Sequence, residues 1–175
     1  MREPVYSTTI AGWREWVGLP GIGVPWIKAK LDTGARSSAL HAFGIEEFVG
    51  DDGSERVRFR VKPWQRSDAD TVRVECPVHD RRSVRSSSGH SAERIVVLLD
   101  VELFGRTITT ETTLTNRDQM GFRMLIGREA LRQGFLVDSG KSFLGGRAPK
   151  EVRRHNRGVG AAALAGLETR SGRTA

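Results

Sequence analysis

Cysteine and long apolar runs are scarce in this sequence of 175 residues. With a single cysteine, Cys76, the chain has no internal disulfide framework and no pair of thiolates for a structural zinc site of the usual kind. No window approaches the ~20 apolar residues that a membrane helix needs, and Met1–Trp16 lacks the apolar core of a signal peptide. We therefore expect a cytoplasmic protein in a reducing compartment, with no membrane partner.

Lysine is also scarce, and most of the net charge lies at one end of the chain. Five basic residues are lysines and 23 are arginines, and the formal net charge is +7. Residues 146–175 hold seven basic and two acidic side chains, so +5 of that charge lies there. Such a segment can attract nucleic acid, although an arginine-rich composition also leaves charge on any solvated terminus. We expect one domain over residues 1–145 and a basic, disordered tail over 146–175, with a short alanine-rich helix as the alternative for the tail.

Strand patterns dominate residues 1–145. Apolar and polar residues alternate with the period of a half-buried strand in several segments. These are Val24–Asp32, Val57–Val61, Val72–Val74, Arg94–Phe104 and the threonine-rich Thr107–Thr115. Gly105-Arg106 between the last two predicts a hairpin.

Helix signals are few. Arg128–Gln133 predicts one or two turns ending at Gly134, and Ser37–His41 predicts another short turn of helix. Many short strands with little helix indicate a mainly β fold, closed or sandwiched.

Two distant segments carry the chemistry. In Lys28–Ala35, an acid at the end of a buried strand is followed by a hydroxyl and a glycine, and in Arg123–Leu131 an apolar strand ends in a glycine before a short helix. Asp-Thr-Gly alone is a weak signal, because these residues are common in turns. In this order, around a β-rich middle, the segments resemble the retropepsin-like aspartic proteases.

The resemblance implies a pepsin/retropepsin-like closed β-barrel with one or two short helices, and it implies roles for particular residues. Asp32 takes the catalytic position, Thr33 the hydroxyl that bonds across a dimer, and Gly34 the close backbone approach. Substrate-binding positions fall on Ala35, Arg36, Gly127 and Arg128.

Three further stretches are similar to a bacterial branch of this family. They are Gly12–Val17, Asp32–Ala42 and Leu114–Arg123. That branch carries the label "ATP-dependent zinc protease", and its members are often associated with ATP-grasp ligases that add glutamate to protein tails.

A single Asp-Thr-Gly implies a homodimer. Hydrolysis by this route needs two carboxylates about 3 Å apart, one ionised and one protonated. One chain supplies one of them, so the second comes from a symmetry mate and the pair titrates as a unit.

A candidate flap lies between Arg81 and Glu93. Its small residues suit a mobile hairpin tip that closes over substrate, which adds Arg85, Ser87, Ser88 and Gly89 to the predicted substrate-binding residues. A solvated loop is the alternative.

Arg36 differs from the residue found in viral members of the resembled family. Viral retropepsins usually carry an aspartate at this position, and it pairs with the arginine that matches Arg128. A guanidinium here suits a carboxylate, which predicts a substrate that is acidic near the cut. The alternative is an ion pair within the subunit, with Glu46, Glu47 or Glu129.

Other motifs are weaker. Asp138-Ser139-Gly140 is interpreted as a turn because no second lobe follows it, and Gly140-Lys141-Ser142 lacks the glycine spacing of a phosphate loop. We predict no metal and no cofactor, because Cys76 and His79 lack further partners and the remaining histidines, His41, His90 and His155, are scattered.

The sequence therefore predicts an aspartic peptidase with paired Asp32 carboxylates. The alternatives are a catalytically silent binding module of the same fold and a zinc-dependent peptidase.

Overall fold

The computed structural model describes residues 8–85, 88–116 and 121–159. The strands are β1 Thr9–Gly12, β2 Arg14–Leu19, β3 Val24–Asp32, β4 Ser38–His41, β5 Phe43–Val49, β6 Glu55–Val61, β7 Val72–Pro77, β8 Asp80–Arg85, β9 Ser91–Leu103, β10 Arg106–Thr115, β11 Met124–Gly127 and β12 Phe135–Asp138. The helices are α1 Arg128–Leu131 and α2 Lys150–Asn156, and Pro20–Ile22 forms one 3₁₀ turn. The mainly β prediction is confirmed.

The main sheet closes on itself. Its strand order is β10-β4-β11-β3-β2-β9-β8, and β10 also pairs with β9. Six strands therefore form a continuous ring of pairings, and β8 extends the sheet beyond β9. A second sheet contains β5, β6 and β7, and β1 pairs with β12 in parallel.

Alternation along the strands fills the interior of the ring. In β3, Ile27, Ala29 and Leu31 are buried, whereas Lys30 on the other face is exposed. The predicted hairpin between β9 and β10 is confirmed, because Leu103 pairs with Arg106 across a two-residue turn. Both turn residues, Phe104 and Gly105, have positive φ, as a tight hairpin of this hand requires.

The predicted helical turn over Ser37–His41 is wrong, because Ser38–His41 is the strand β4. It pairs in parallel with β10 and antiparallel with β11, so long-range pairing on both sides overrides the local turn signal. Leu40 and His41 are buried there.

The chain also keeps fixed structure beyond the predicted limit at Gly146. α2 brings His155 against Trp64, with ring centroids 6.1 Å apart in a stacked arrangement. Asn156 is buried, accepts the Gln65 backbone N–H over 2.9 Å and donates to the Gln65 side chain over 2.8 Å. The prediction of disorder from Gly146 onward is therefore wrong as far as residue 159. The contacts of His155 and Asn156 hold this segment in place, and its average composition does not reveal them. The domain boundary at residue 145 stays a prediction, and residues 160–175, with the alanine-rich run, lie outside the described residues.

Among the helices of the described residues, none is long and apolar enough to cross a membrane.

Candidate active site

Asp32 lies at the carboxyl end of β3, directly beside Gly127 at the end of β11. The two strands are parallel, and Asp32 and Gly127 are partners in the register. Parallel pairing places the ends of both strands at the same edge of the sheet. The two segments that the sequence singles out therefore meet at one place.

The loop after Asp32 orients the carboxylate with its own backbone. The Gly34 N–H donates to Asp32 Oδ1 over 3.0 Å, and the Ala35 N–H donates to the Asp32 carbonyl over 3.3 Å. Asp32 itself is half-buried, whereas Thr33 and Gly34 are exposed. The loop thus offers one oriented carboxylate and the adjoining hydroxyl at the surface of the subunit.

The first turn of α1 holds this loop from behind. The Arg128 N–H donates to the Ala35 carbonyl over 2.8 Å, and the Glu129 N–H donates to the Arg36 carbonyl over 3.2 Å. These are amide groups that a helix leaves without an intrahelical partner. The predicted site residues from Asp32 to Arg36 are therefore brought together with Gly127 and Arg128.

Gly127 is required for this contact by space. A Cβ on Gly127 would lie 2.5 Å from the carbonyl carbon and oxygen of Ser37 and 2.9 Å from the Arg36 carbonyl oxygen. Because these neighbours are backbone atoms of the same loop, a side chain here would push the loop away from β11.

A buried hydroxyl pair that no sequence pattern indicated supports the site. Ser38 Oγ accepts the Gly127 N–H over 3.1 Å and lies 3.1 Å from Thr110 Oγ1. The Thr113 hydroxyl donates to the Ser38 carbonyl over 3.3 Å. The threonine-rich sequence of β10 was the available signal for this pair, because buried threonine hydroxyls need hydrogen-bond partners. On sequence alone it indicated only a strand.

The candidate flap is the hairpin of β8 and β9. Arg85 pairs with Ser91 at its end, and Ser88 and Gly89 lie in the exposed turn. Ser87 lies outside the described residues. The roles predicted for this hairpin stay predictions.

Nearer the base of the hairpin, Arg82 connects β8 to the segment that follows the Asp32 loop. No sequence pattern indicated this role for Arg82. The Arg82 guanidinium donates to Ser37 Oγ over 3.2 Å and forms ion pairs with Glu111 at 2.7 Å and Asp80 at 2.9 Å. The hydrogen bond from Arg82 holds the pKa of the Glu111 carboxyl below its usual range, and His79 adds to the effect.

Arg36 is exposed, and the three intrasubunit partners considered for it are engaged elsewhere. Glu46 pairs with Arg58 at 3.8 Å, Glu47 with Arg81 at 2.5 Å, and Glu129 with Arg132 at 3.4 Å. Within the described residues, Arg36 forms no ion pair. Its guanidinium is therefore available at the surface that carries Asp32.

Asp138-Ser139-Gly140 forms a turn at the end of β12, as predicted. Its Gly140 N–H donates to Asp138 Oδ1 over 2.9 Å. Asp138 is the register partner of Gly12 in β1, and a Cβ on Gly12 would lie 2.6 Å from the Lys141 carbonyl oxygen. This turn repeats the local geometry of the Asp32 loop on the two-stranded sheet.

The alternative of a zinc-dependent peptidase requires metal-binding side chains that lie close together. No group of three or more His, Cys, Asp or Glu side chains in the described part of the chain is placed to hold a metal ion. His79 Nε2 lies 3.1 Å from Glu111 Oε1. Burial raises the pKa of the Cys76 thiol, which disfavours the thiolate that binds metal.

A cavity of about 550 Å³ adjoins Cys76, Leu99 and Asp100. No residue of the Asp32 loop lines this cavity, so cavity volume alone does not identify the candidate active site.

Comparison with known proteins places these features in one family. The sequence profile described as "RimB-like: Retropepsin-like aspartic endopeptidase RimB" matches residues 10–148. A protein of Shewanella pealeana named "Probable alpha-L-glutamate ligase" is 45% identical over 82% of this chain, and one of the same name from Desulfotalea psychrophila is 41% identical over 81%. These alignments cover 31% and 30% of those two proteins, so the chain spans about a third of the length of the curated relatives it matches.

A solved structure with a similar fold also covers most of the chain. It is the Legionella pneumophila protein Lpg0085, described as having unknown function (DUF785), with a TM-score of 0.68 and 29% identity. The match covers 79% of this chain and 99% of that structure.

Proposed function

The chain belongs to the RimB-like family of retropepsin-like aspartic endopeptidases, and we propose that it hydrolyses peptide bonds through two Asp32 carboxylates, one from each copy of a homodimer. The observation that carries this proposal is the Asp32 loop itself. Its carboxylate is oriented by the Gly34 N–H, while Thr33 and Gly34 remain exposed. Hydrogen bonds from the first turn of α1 hold the loop on one side, and its other side is exposed. Such a loop is suited to contact the same loop of a second copy across a two-fold axis.

In such a pair, the chemistry divides between the two carboxyl groups. The ionised Asp32 takes a proton from water, whose oxygen attacks the carbonyl carbon, while the protonated Asp32 gives its proton to the carbonyl oxygen. The resulting neutral diol then returns a proton to one carboxylate as the C–N bond breaks, and the other carboxyl group protonates the leaving nitrogen. Overall, one water is consumed and both carboxyl groups recover their starting states.

Gly127 and Ser38 act in this scheme as positioning residues. The Ser38 hydroxyl fixes the Gly127 backbone, and Gly127 allows the loop to lie against β11. A site in which the reacting groups are held in place before substrate arrives loses less entropy in the reaction.

We further propose that acidic or glutamate-modified peptides are the substrates. Arg36 and Arg128 are exposed beside Asp32, and no ion pair within the described chain neutralises Arg36. A guanidinium facing a substrate carboxylate contributes about 1.5–3 kcal/mol as a charged hydrogen bond. The "Probable alpha-L-glutamate ligase" name of the relatives fits a substrate that carries added glutamate.

The test of activity compares two aspartates in similar turns. Purified full-length chain is incubated with a diverse peptide library, and cleavage is compared for the unmodified protein, Asp32→Asn and Asp138→Asn. We expect Asp32→Asn to abolish cleavage and Asp138→Asn to retain it, both with unchanged thermal stability. Cleavage by a folded Asp32→Asn protein would rule out the mechanism and indicate another catalytic group, whereas no cleavage by the unmodified protein would favour the binding-module alternative.

Specificity is tested separately. The same library is profiled with Arg36→Ala, and Arg132→Ala serves as control because Arg132 pairs with Glu129 on the exposed side of α1. We expect the preference for acidic residues to fall only with Arg36→Ala. An unmodified protein indifferent to acidic residues would remove this part of the proposal while leaving the peptidase mechanism intact.

A further inference from the structure

A strongly basic cavity of about 210 Å³ lies between the strands β2 and β3 and the helix α2. We call it the basic cavity. Its lining residues are Arg14, Trp16, Lys28, Phe143, Arg147, Arg153, Asn156 and Arg157. Of these eight described lining residues, five are cationic and none is acidic. Three of those cations, at positions 147, 153 and 157, belong to the segment in which the sequence concentrates its positive charge.

No carboxylate of the described residues forms an ion pair with the cations of the basic cavity. Elsewhere, arginines such as Arg81 and Arg82 are paired with carboxylates. Across residues 8–85, 88–116 and 121–159, none of the five cavity cations forms an ion pair within 4.0 Å. Burial lowers the pKa of the Lys28 ammonium, and the neighbouring positive charges of Arg14 and Arg157 lower it further.

The Phe143 ring contacts three of these cations, of which Arg147 lies farthest from the ring centroid, at 5.8 Å. The Arg14 guanidinium lies 5.0 Å from the Phe143 ring centroid, and its Nε donates to Ser142 Oγ over 3.1 Å. The Lys28 ammonium lies 5.4 Å from the same Phe143 ring. Cation–π contacts of this kind fix the charges in a defined place at low cost in free energy. The cations in contact with Phe143 are therefore positioned before any ligand arrives.

One donor in the basic cavity lacks an acceptor. Arg153 Nε is buried and has no hydrogen-bond partner within residues 8–85, 88–116 and 121–159. Buried donors in folded proteins are almost always paired with protein, water or ligand, because an unpaired one costs free energy. An anionic oxygen in the cavity would accept from Arg153 Nε only after the guanidinium turns toward it, because this nitrogen is closed to solvent in the present arrangement.

We propose that the basic cavity binds a compact phosphoryl group, as inorganic phosphate, pyrophosphate or the terminal phosphates of a nucleotide. A phosphate group carries up to about two negative charges and three acceptor oxygens on one tetrahedral centre. A carboxylate carries one charge on a planar group, so phosphate matches five cations around a small cavity better. Arginine forks also suit phosphate oxygens geometrically.

This site is separate from the Asp32 loop. Lys28 precedes Asp32 by four residues on the same strand, which puts their Cα atoms about 13 Å apart. The inference therefore does not rest on peptidase activity, and either can fail without the other.

Calorimetric titration of the full chain with inorganic pyrophosphate at low ionic strength tests the proposal. We expect saturable binding that Arg153→Gln/Arg157→Gln weakens by at least about tenfold. Lys141→Gln/Lys150→Gln is the matched control, since it also removes two charges, from exposed positions outside the cavity. Arg147→Gln, at an exposed position of the cavity rim, is the second variant if the cavity double variant loses its fold.

The ligand series then identifies the source of the phosphoryl group. Binding of phosphate and pyrophosphate with no gain for ATP indicates a free anion, and tighter binding of ATP indicates a nucleotide. Citrate that binds as tightly as pyrophosphate would overturn the assignment to phosphate. The absence of saturable binding, or an affinity unchanged by all the cavity variants, would overturn the site.

Discussion

Asp32 and Asp138 accept the same hydrogen bond from the glycine two residues further along the chain. The distances are 3.0 Å from the Gly34 N–H and 2.9 Å from the Gly140 N–H. The surroundings differ, because the Asp32 loop is held by the N-terminus of α1, whereas Asp138 ends a strand of the two-stranded sheet. An oriented aspartate is therefore not by itself evidence of catalysis, and Asp138 becomes the natural control for Asp32.

Substitution of Gly127 tests the close contact between the Asp32 loop and β11. Gly127→Ala should lower the free energy of unfolding by about 1–3 kcal/mol, because a Cβ would overlap the backbone of Ser37. Chemical denaturation measures the change. Gly21→Ala is the control, since a Cβ on Gly21 has no neighbour within 4 Å. Equal stability of the two variants would contradict the tight packing described for Gly127.

Truncation tests whether α2 is part of the folded unit. A chain ending at Gly146 loses the His155 ring that stacks on Trp64 and the Asn156 bonds to Gln65. We expect its melting temperature to fall and its tryptophan emission to shift to the red, because Trp64 is only 6% exposed when α2 is present. A chain ending at residue 159 is the control, because it keeps His155 and Asn156 and their contacts. An unchanged melting temperature after removal of α2 would show that these contacts contribute nothing.

The sequence predicts the elements whose signals are local and misses those that depend on distant partners. Alternation is enough to identify β3, and the Gly105 turn identifies the β9–β10 hairpin. The paired segments around Asp32 and Gly127 could be joined only through a family resemblance, since nothing local shows that they meet. Ser38–His41 and α2 were missed because β10 and Trp64, which lie far away in sequence, decide their structure.

The Glu111 ion pair gives a pH dependence of stability. Arg82 lowers the folded-state pKa of Glu111 below its unfolded value of about 4.3, so the pair stabilises the fold above that value and the gain is lost as the pH falls through the lower folded pKa. Glu111→Gln should therefore lower the melting temperature at pH 7. The side chain is 36% exposed, which limits the effect to about 1 kcal/mol or less.

Thermal melts at several pH values check this dependence. The difference between the unmodified protein and Glu111→Gln should disappear as the pH falls through the lowered folded-state pKa of Glu111, below which the carboxyl is protonated in both states. A difference of the same size at acidic and neutral pH would mean that the charge of Glu111 is not its source.

Subunit mixing tests the shared Asp32 pair most directly. Unmodified chain and Asp32→Asn chain are denatured together, refolded in equal amounts and assayed for peptide cleavage, with an Asp138→Asn mixture as control. Two carboxylates from two subunits predict that only about one quarter of randomly assorted dimers are active, while the control keeps full activity. Activity equal to half of the unmodified protein would show that each chain works alone and would contradict the paired-carboxylate account.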